Sequence, residues 1–194
     1  MSHSNESVDL LISAGRVFCA ATGLDGPGAV AMKGDRIVGS GPDVSGPAER
    51  TVEFPDGLLL PGLVDMHAHP AKGGSRYGVD PDDHFLPRGV TTCMSQGDAG
   101  AGNWPAYQEH TIKASQTRVL LAINLAAPGE SRDSGCFEDL DGVDVEACVR
   151  AIEASGEGIW GISVNTGIPC CGDNDPDEIL ARGLEVAECT GKPL

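Results

Sequence analysis

Two histidines spaced i and i+2, His67 and His69, close the run Leu58-Leu59-Leu60-Pro61-Gly62-Leu63-Val64-Asp65-Met66-His67-Ala68-His69. The run starts apolar, turns at Pro-Gly and re-enters as a short strand. Side chains alternate faces along a strand, so His67, His69 and Asp65 fall on one face. Two imidazoles so placed can close on one metal ion; zinc and other first-row metals accept such nitrogen ligands, and a nearby carboxylate can orient the rings or join them as a ligand. A metal there lowers the pKa of bound water from about 15.7 to about 7 and polarises a scissile carbonyl, which is the chemistry of a hydrolase. A bare His-x-His also occurs as two polar residues leaving a strand; the Pro-Gly-Leu-Val-Asp lead-in favours the metal.

The elements that must hold this pair follow from the pattern of the chain. Residues 8–62 show short β-type runs, Val8–Ile12, Gly28–Lys33, Arg36–Gly41, Arg50–Phe54 and Leu58–Leu60, separated by Gly, Pro and Asp. Gly34-Asp35 supplies a hairpin turn. From Leu63 strands alternate with helices, the mark of a parallel sheet with crossovers. Strands are expected at Leu63–His67, Val90–Ser95, Val119–Asn124 and Ile159–Val164, and helices at Pro105–Ser115, Val145–Ala154 and Asp177–Glu188. The last is capped by Asp175 or Asp177 and carries Ile179, Leu180, Leu184, Val186 and Ala187 on one apolar face. The expected division is a small N-terminal β domain over 1–62, with residues 1–7 as a disordered lead-in, and an α/β domain over 63–194.

The same segments resemble the amidohydrolase superfamily, whose members carry an Asp-x-His-x-His pattern on the first barrel strand. Asp9-Leu10-Leu11-Ile12, Gly15-Arg16-Val17 and Gly34-Asp35-Arg36-Ile37-Val38-Gly39 look like the β-sandwich-type domain that precedes its barrel. Gly89-Val90-Thr91-Thr92 and Gly97-Asp98-Ala99-Gly100-Ala101-Gly102-Asn103 look like the second strand and loop of its deacetylase and N-acyl-amino-acid deacylase branch. The resemblance implies the first half of a metal-dependent (β/α)8 barrel. It implies a hydrolase of non-peptide C–N bonds acting on an acylated amine or amino acid, with His67 and His69 as ligands of a divalent ion, most simply zinc. A complete barrel takes about 250 residues, against 194 here. The second half is therefore expected to be missing from this chain, along with the histidines of strands five and six and the proton-shuttle carboxylate, which would lie beyond Leu194. The alternative is a truncated or non-catalytic relative acting as a binding or interaction module.

Active-site residues of such barrels sit at the carboxyl ends of strands. The candidates are Ser95, Gln96 and Asp98 on strand two, Asn124 on strand three, and Ser163 and Asn165 on strand four. Asp65, Asp98, Asn124, Ser163 and Asn165 are expected behind the metal or against the substrate. Relatives with two metals place a carboxylated lysine on strand four; Gly161-Ile162-Ser163-Val164-Asn165 has serine there, which cannot carry the carbamate, so one ion is expected rather than two. Cys93 is a conceivable replacement ligand, although a mid-strand cysteine more often packs in a core. Cys170-Cys171 lacks Cys-x-x-Cys spacing and a second pair. Asp98 reads equally as a contact to the site or a turn residue. His84 and His110 read as surface or packing residues, and His3 lies in the lead-in. The glycine-rich stretch 97–102 lacks the spacing of a phosphate cradle and reads as a tight loop that lets backbone approach a substrate.

The charge excludes other classes. There are 29 Asp plus Glu against 13 Lys plus Arg, a formal net charge of -16, with no positive patch for nucleic acid or an anionic membrane. No apolar run has the length of a membrane span, and the polar N-terminus shows no signal peptide. Seven cysteines without a regular framework point to reduced thiols in a cytoplasmic protein. A small-molecule substrate is expected, with a homo-oligomer or the missing half-barrel as the partner that covers open sheet edges.

Overall fold

The computed structural model describes residues 7–194; the expectation of a disordered lead-in, and His3, lie outside the described residues apart from Ser7, which is exposed. The chain divides into two compact units, one ending at Pro61 and the other beginning at Gly62.

The first unit is one four-stranded sheet. Its strands are β1 (Val8–Cys19), β2 (Leu24–Lys33), β3 (Arg36–Gly41) and β4 (Ala48–Leu59), in the order β3-β2-β1-β4. The hairpin between β2 and β3 turns at Gly34, whose φ is 58°. β4 pairs parallel to β1, Leu10 opposite Arg50, and β2 pairs antiparallel to it, Leu10 opposite Met32. The expected sandwich is thus a single mixed sheet among the described residues. Two of the expected strands are one: Pro55-Asp56-Gly57 reads as a break in sequence, but β4 runs through it. The register with β1 shifts between Ala14 and Arg16. At that irregularity Gly15 lies so close to Pro55 that a Cβ on it would sit 2.0 Å from the Pro55 carbonyl oxygen. A proline is tolerated inside a sheet at such a bulge, and a glycine lets the backbones meet.

The second unit is a parallel four-stranded sheet of β5 (Leu63–Ala68), β6 (Val90–Gly100), β7 (Arg118–Asn124) and β8 (Ile159–Ser163), in sequence order. Between them lie α1 (Pro81–His84), α2 (Trp104–Tyr107, continued by a π-helical turn Gln108–Ile112) and α3 (Val145–Ala154). After β8 come α4 (Ile168–Cys171) and α5 (Pro176–Thr190). β6 runs five residues past its expected end at Ser95, which carries Asp98 onto the strand. Its register with β7 shifts between Gln96 and Gly100. The expected helix at 105–115 is a single α-turn followed by a π-turn. α3 has its expected bounds, with Asp144 accepting from Ala147 N at its start. α5 starts on Asp175, which accepts from Asp177 N, with Pro176 at its first position, and stops at Gly191 with φ 65°. Ile179, Gly183 and Val186 are buried, but Leu180 and Leu184 are exposed. The inward face of α5 is therefore rotated from the expected one, because Gly183 lets the helix approach Val164, whose Cγ2 would meet a Cβ there at 2.9 Å.

The core of this unit lies between sheet and helices. It includes Leu121, Ile123, Ile159, Phe137, Ile179 and Val186, each at most 1% exposed. Asp82 in α1 ties this layer to the approach to β7: its carboxylate accepts from Gln116 N at 2.9 Å and from Thr117 N and Oγ1 at 2.8 Å each.

Candidate metal centre

β5 delivers its last residues to the carboxyl end of the parallel sheet, where the chain turns at His69-Pro70. The His67 and His69 rings lie 5.9 Å apart, centroid to centroid, edge to face. Both line a cleft of about 560 Å3 at this end of the sheet. His67 is exposed and His69 is partly buried.

Asp98 orients His69. Its Oδ1 lies 2.7 Å from His69 Nδ1, and its Oδ2 accepts from Ser95 Oγ at 2.7 Å. Asp98 is fully buried, so a charge there is tolerable only because both oxygens are partnered. The bond to Asp98 raises the His69 pKa, against the opposing effect of partial burial. With Nδ1 committed to the carboxylate, Nε2 is the nitrogen left for the cleft. Of the two readings of Asp98, its oxygens serve side chains rather than a turn.

The other candidates divide by position. Ser163 and Asn165 line the cleft, and so does Gln96, whose Nε2 donates to Met66 O at 2.9 Å. Asp65 does not; its Oδ1 accepts from His67 N at 3.0 Å, which stiffens the turn-out of β5 rather than reaching the cleft. Asn124 is buried behind the floor, donating to Gly97 O at 3.2 Å and accepting from Ala126 N at 2.9 Å. Cys93 is fully buried in the core, and burial, with the carboxylates of Asp65, Asp98 and Asp82, pushes its thiol up to about 12. At that value it is a poor source of thiolate. Cys170 and Cys171 are buried on α4, and Cys170 reaches the cleft. His84 and His110 are exposed.

The glycine stretch packs closely against its neighbours. A Cβ on Gly100 would lie 1.9 Å from Ala126 O, and one on Gly102 would lie 3.0 Å from Ala127 O. Both glycines let the backbone approach that of the next loop. At Gly97, with φ 82°, an added Cβ would meet Asn124 Nδ2 and Ser163 Oγ at 3.0 Å each, so a side chain there would press on the residues behind and along the cleft.

The cleft lining outside the candidates includes three residues with polar or aromatic side chains that bear on the site: Arg76, Tyr77 and Glu130. Arg76 Nε lies 3.2 Å from Glu130 Oε2. Tyr77 packs its ring 5.3 Å from that of His69. The signal was the loop itself: Lys72-Gly73-Gly74-Ser75-Arg76-Tyr77-Gly78 follows the histidines directly, and Glu130 sits after Pro128-Gly129 at the end of β7.

Two imidazole nitrogens fit half of a tetrahedral zinc shell. Among the described residues no group of three or more His, Cys, Asp or Glu is placed to hold a metal ion. The pair could supply two of the four donors, with the Asp98 carboxylate behind His69.

Comparison with known proteins gives the relatives and structural neighbours of the chain. No family profile matches the chain. A deacetylase of Brucella anthropi is 28% identical over 167 residues, 84% of this chain and 37% of the relative. An adenine deaminase of Rhizobium etli is 32% identical over 187 residues, 91% of this chain and 30% of the relative. Among solved structures, an adenine deaminase superposes with a TM-score of 0.83 at 24% identity, covering 96% of this chain and 49% of that one. A zinc-bound N-acyl-D-glutamate deacylase of Bordetella bronchiseptica superposes with a TM-score of 0.60 at 17% identity, over 96% of this chain and 43% of that one. The chain spans between about a third and a half of these proteins.

Proposed function

From a chain that belongs to the amidohydrolase superfamily, on its deacetylase and deacylase branch, we propose the corresponding activity: hydrolysis of a non-peptide C–N bond in an N-acylated small molecule. His67 and His69 hold one divalent ion, zinc, and the rest of its shell comes from outside the described residues. Bound there, the ion supplies Lewis-acid activation of water and of the scissile carbonyl.

The chain's own residues do the remaining work. Asp98 fixes the tautomer and direction of His69, and Ser95 fixes Asp98. Ser163, Asn165 and Gln96 face the space a substrate would fill and offer neutral hydrogen-bonding groups to it. Ser163 stands where a bridging lysine would make a two-metal centre, which supports one ion. The observation that carries this reading is the Ser95–Asp98–His69 chain behind a second histidine at the mouth of a cleft. A lone surface His-x-His has no reason to bury a carboxylate behind one ring.

Elemental analysis of the purified chain beside its His67→Ala/His69→Ala variant tests the reading. Stoichiometric zinc, lost in the variant, is the expected result; equal metal content in the two forms would sink it.

A second reading, a binding module without catalysis, is favoured by the absence of a third metal ligand among the described residues and by the exposed Leu63, Val64 and Met66 on β5. Such a chain associates through that strand, so light scattering that reports a concentration-independent monomer would count against it. No described helix is long and apolar enough to cross a membrane. The seven unpaired cysteines support a reducing, cytoplasmic setting.

A further inference from the structure

Tyr107 is a buried polar residue that the chemistry above leaves unused. It ends the one-turn helix α2, is 6% exposed, and shares the core with Trp104, Cys93 and Ala99, α2 lying against β6. Its hydroxyl oxygen is buried and has no hydrogen-bond partner in place among the described residues. A buried hydroxyl left so is costly, and most native ones are satisfied. The group whose hydrogen bonding bears on this phenol is Ser95, and the first carboxylate whose charge bears on it is Asp98. Those two residues form the chain behind the histidine pair. Ser95 Oγ donates to Asp98 Oδ2 at 2.7 Å, and Asp98 Oδ1 lies 2.7 Å from His69 Nδ1.

We propose that Tyr107 is a positioning residue of the metal centre: its phenol donates to Ser95 Oγ and extends the chain to Tyr107–Ser95–Asp98–His69. The proposal rests on the reading of His69 as a metal ligand and adds a residue that acts on it from the core.

Proton counting gives the chain its direction. Ser95 spends its one hydroxyl proton on Asp98, and a hydroxyl that donates once can still accept. Burial, with the charge of Asp98, holds the Tyr107 phenol well above its ordinary pKa, so it keeps a proton to donate. Every donor then points toward the Asp98 carboxylate, which stays ionised and takes the Nδ1 proton of His69. The opposite direction, Ser95 donating to the phenol, would take the donor from one oxygen of a fully buried carboxylate, a heavier loss than an unpaired neutral hydroxyl. A bond accepted by Ser95 also strengthens the bond it donates.

The backbone gives a second reason to look here. α2 lasts one turn before Gln108–Ile112 widens into a π-turn, closed by Lys113 N donating to Gln108 O at 2.9 Å. Such turns are rare and gather at functional sites, and this one begins directly after Tyr107. The competing role is packing alone, with the ring filling the core and the hydroxyl stranded.

Nitrogen-15 NMR of the His69 ring in the metal-free 194-residue chain separates the two roles, at a pH where the ring is neutral. The His69 signals are assigned by their loss in His69→Gln. Wild type should hold the Nδ1–H tautomer. Tyr107→Phe, which deletes only the hydroxyl, should lower the tautomer ratio by about twofold or more. Ser95→Ala should lower it further, and Tyr107→Phe added to Ser95→Ala should change nothing more, because the phenol acts only through Ser95. Zinc affinity by chelator competition should fall about two- to tenfold in Tyr107→Phe, less than the 10- to 100-fold typical of a group bonded directly to a ligand. The urea midpoint should fall too, whereas deleting a stranded hydroxyl would raise it. An unchanged tautomer ratio in Tyr107→Phe, a further loss in the double variant equal to that of Tyr107→Phe alone, or a raised urea midpoint would each overturn the proposal. Zinc bound with the tautomer indifferent to Tyr107 would overturn the relay and leave the metal reading standing. A tautomer that responds to Tyr107 in a chain that binds no zinc would uphold the relay and sink the metal reading.

Discussion

At the scale of single residues, the site is a question of which groups are committed and which are free. Asp98 is committed twice, to His69 and to Ser95. Replacing it by Asn keeps the shape but removes the charge that stabilises the Nδ1–H tautomer of His69. Supporting carboxylates of this kind typically govern 10- to 100-fold in metal affinity, so Asp98→Asn should weaken zinc binding by roughly that factor in a competition titration with a chelator. Unchanged affinity would mean that Asp98 only packs. The cysteines divide in the same way. Burial pushes Cys93, Cys136 and Cys148 up to about 12, whereas hydrogen bonding with Thr22 lowers the Cys19 thiol and Cys189 is exposed. A thiol-exchange reagent should therefore label Cys19 and Cys189 in the native protein and reach the three buried thiols only after denaturation. Rapid labelling of Cys93 in the native state would show that the β6 core is open. His67 and His69 were legible in the sequence because a strand's two-residue period places them together. Arg76 and Glu130 were not, because they come from two loops 54 positions apart in number, and nothing local in either loop reports the other.

At the scale of elements, the strands and α3 and α5 were legible from apolar period and capping residues, and the misjudged elements share a cause. Pro55-Asp56-Gly57 carries turn residues, yet pairing with β1 keeps it in β4, since a bulge opposite Gly15 absorbs the proline. α1 is only four residues long, Pro81–His84, too short to show a period. It exists because Asp80 caps it by accepting from Asp82 N and Asp83 N, and because Asp82 has partners on the far side of β6 in sequence. Burial works to raise the Asp82 pKa, but hydrogen bonds from Gln116 N and from Thr117 N and Oγ1 outweigh it, and the net shift is downward. A group with a depressed folded value stabilises the fold above its unfolded pKa, about 3.9, and loses that contribution as pH falls through the folded value. Asp82→Asn should accordingly cost about 1.5–3 kcal/mol at neutral pH, the range for hydrogen bonds to a charged group. The gap to wild type should close in acid below the ordinary carboxylate range. Urea titrations at several pH values measure this; a gap that persists into acid would assign the cost to shape rather than charge. Gly100→Ala should be costly at every pH, because its Cβ would sit 1.9 Å from the Ala126 carbonyl oxygen. Forced backbone shifts of that kind cost typically about 1–3 kcal/mol.

At the scale of the whole molecule, charge is the property that no single contact explains. The formal net charge is -16 on 194 residues, and the ion pairs among the described residues are mostly exposed, such as Arg16–Asp25 and Arg150–Glu146. Exposed pairs are each worth little, at most about 1 kcal/mol, whereas the surplus of carboxylates repels itself across the whole surface. Folding concentrates that surplus, so the repulsion weighs more on the native state than on the expanded chain. Salt shortens the range of the field to about 8 Å at 0.15 M and about 3 Å at 1 M. The local pairs and the global repulsion are both screened, but the repulsion is the larger of the two. Thermal unfolding followed from low to high sodium chloride should therefore show Tm rising with salt, most steeply below the range where the field already dies within neighbouring side chains. Potassium chloride should act alike, because screening depends on ionic strength and not on the cation. A Tm that falls with salt would mean that the exposed pairs outweigh the surplus, and a response to one cation alone would point to a bound ion.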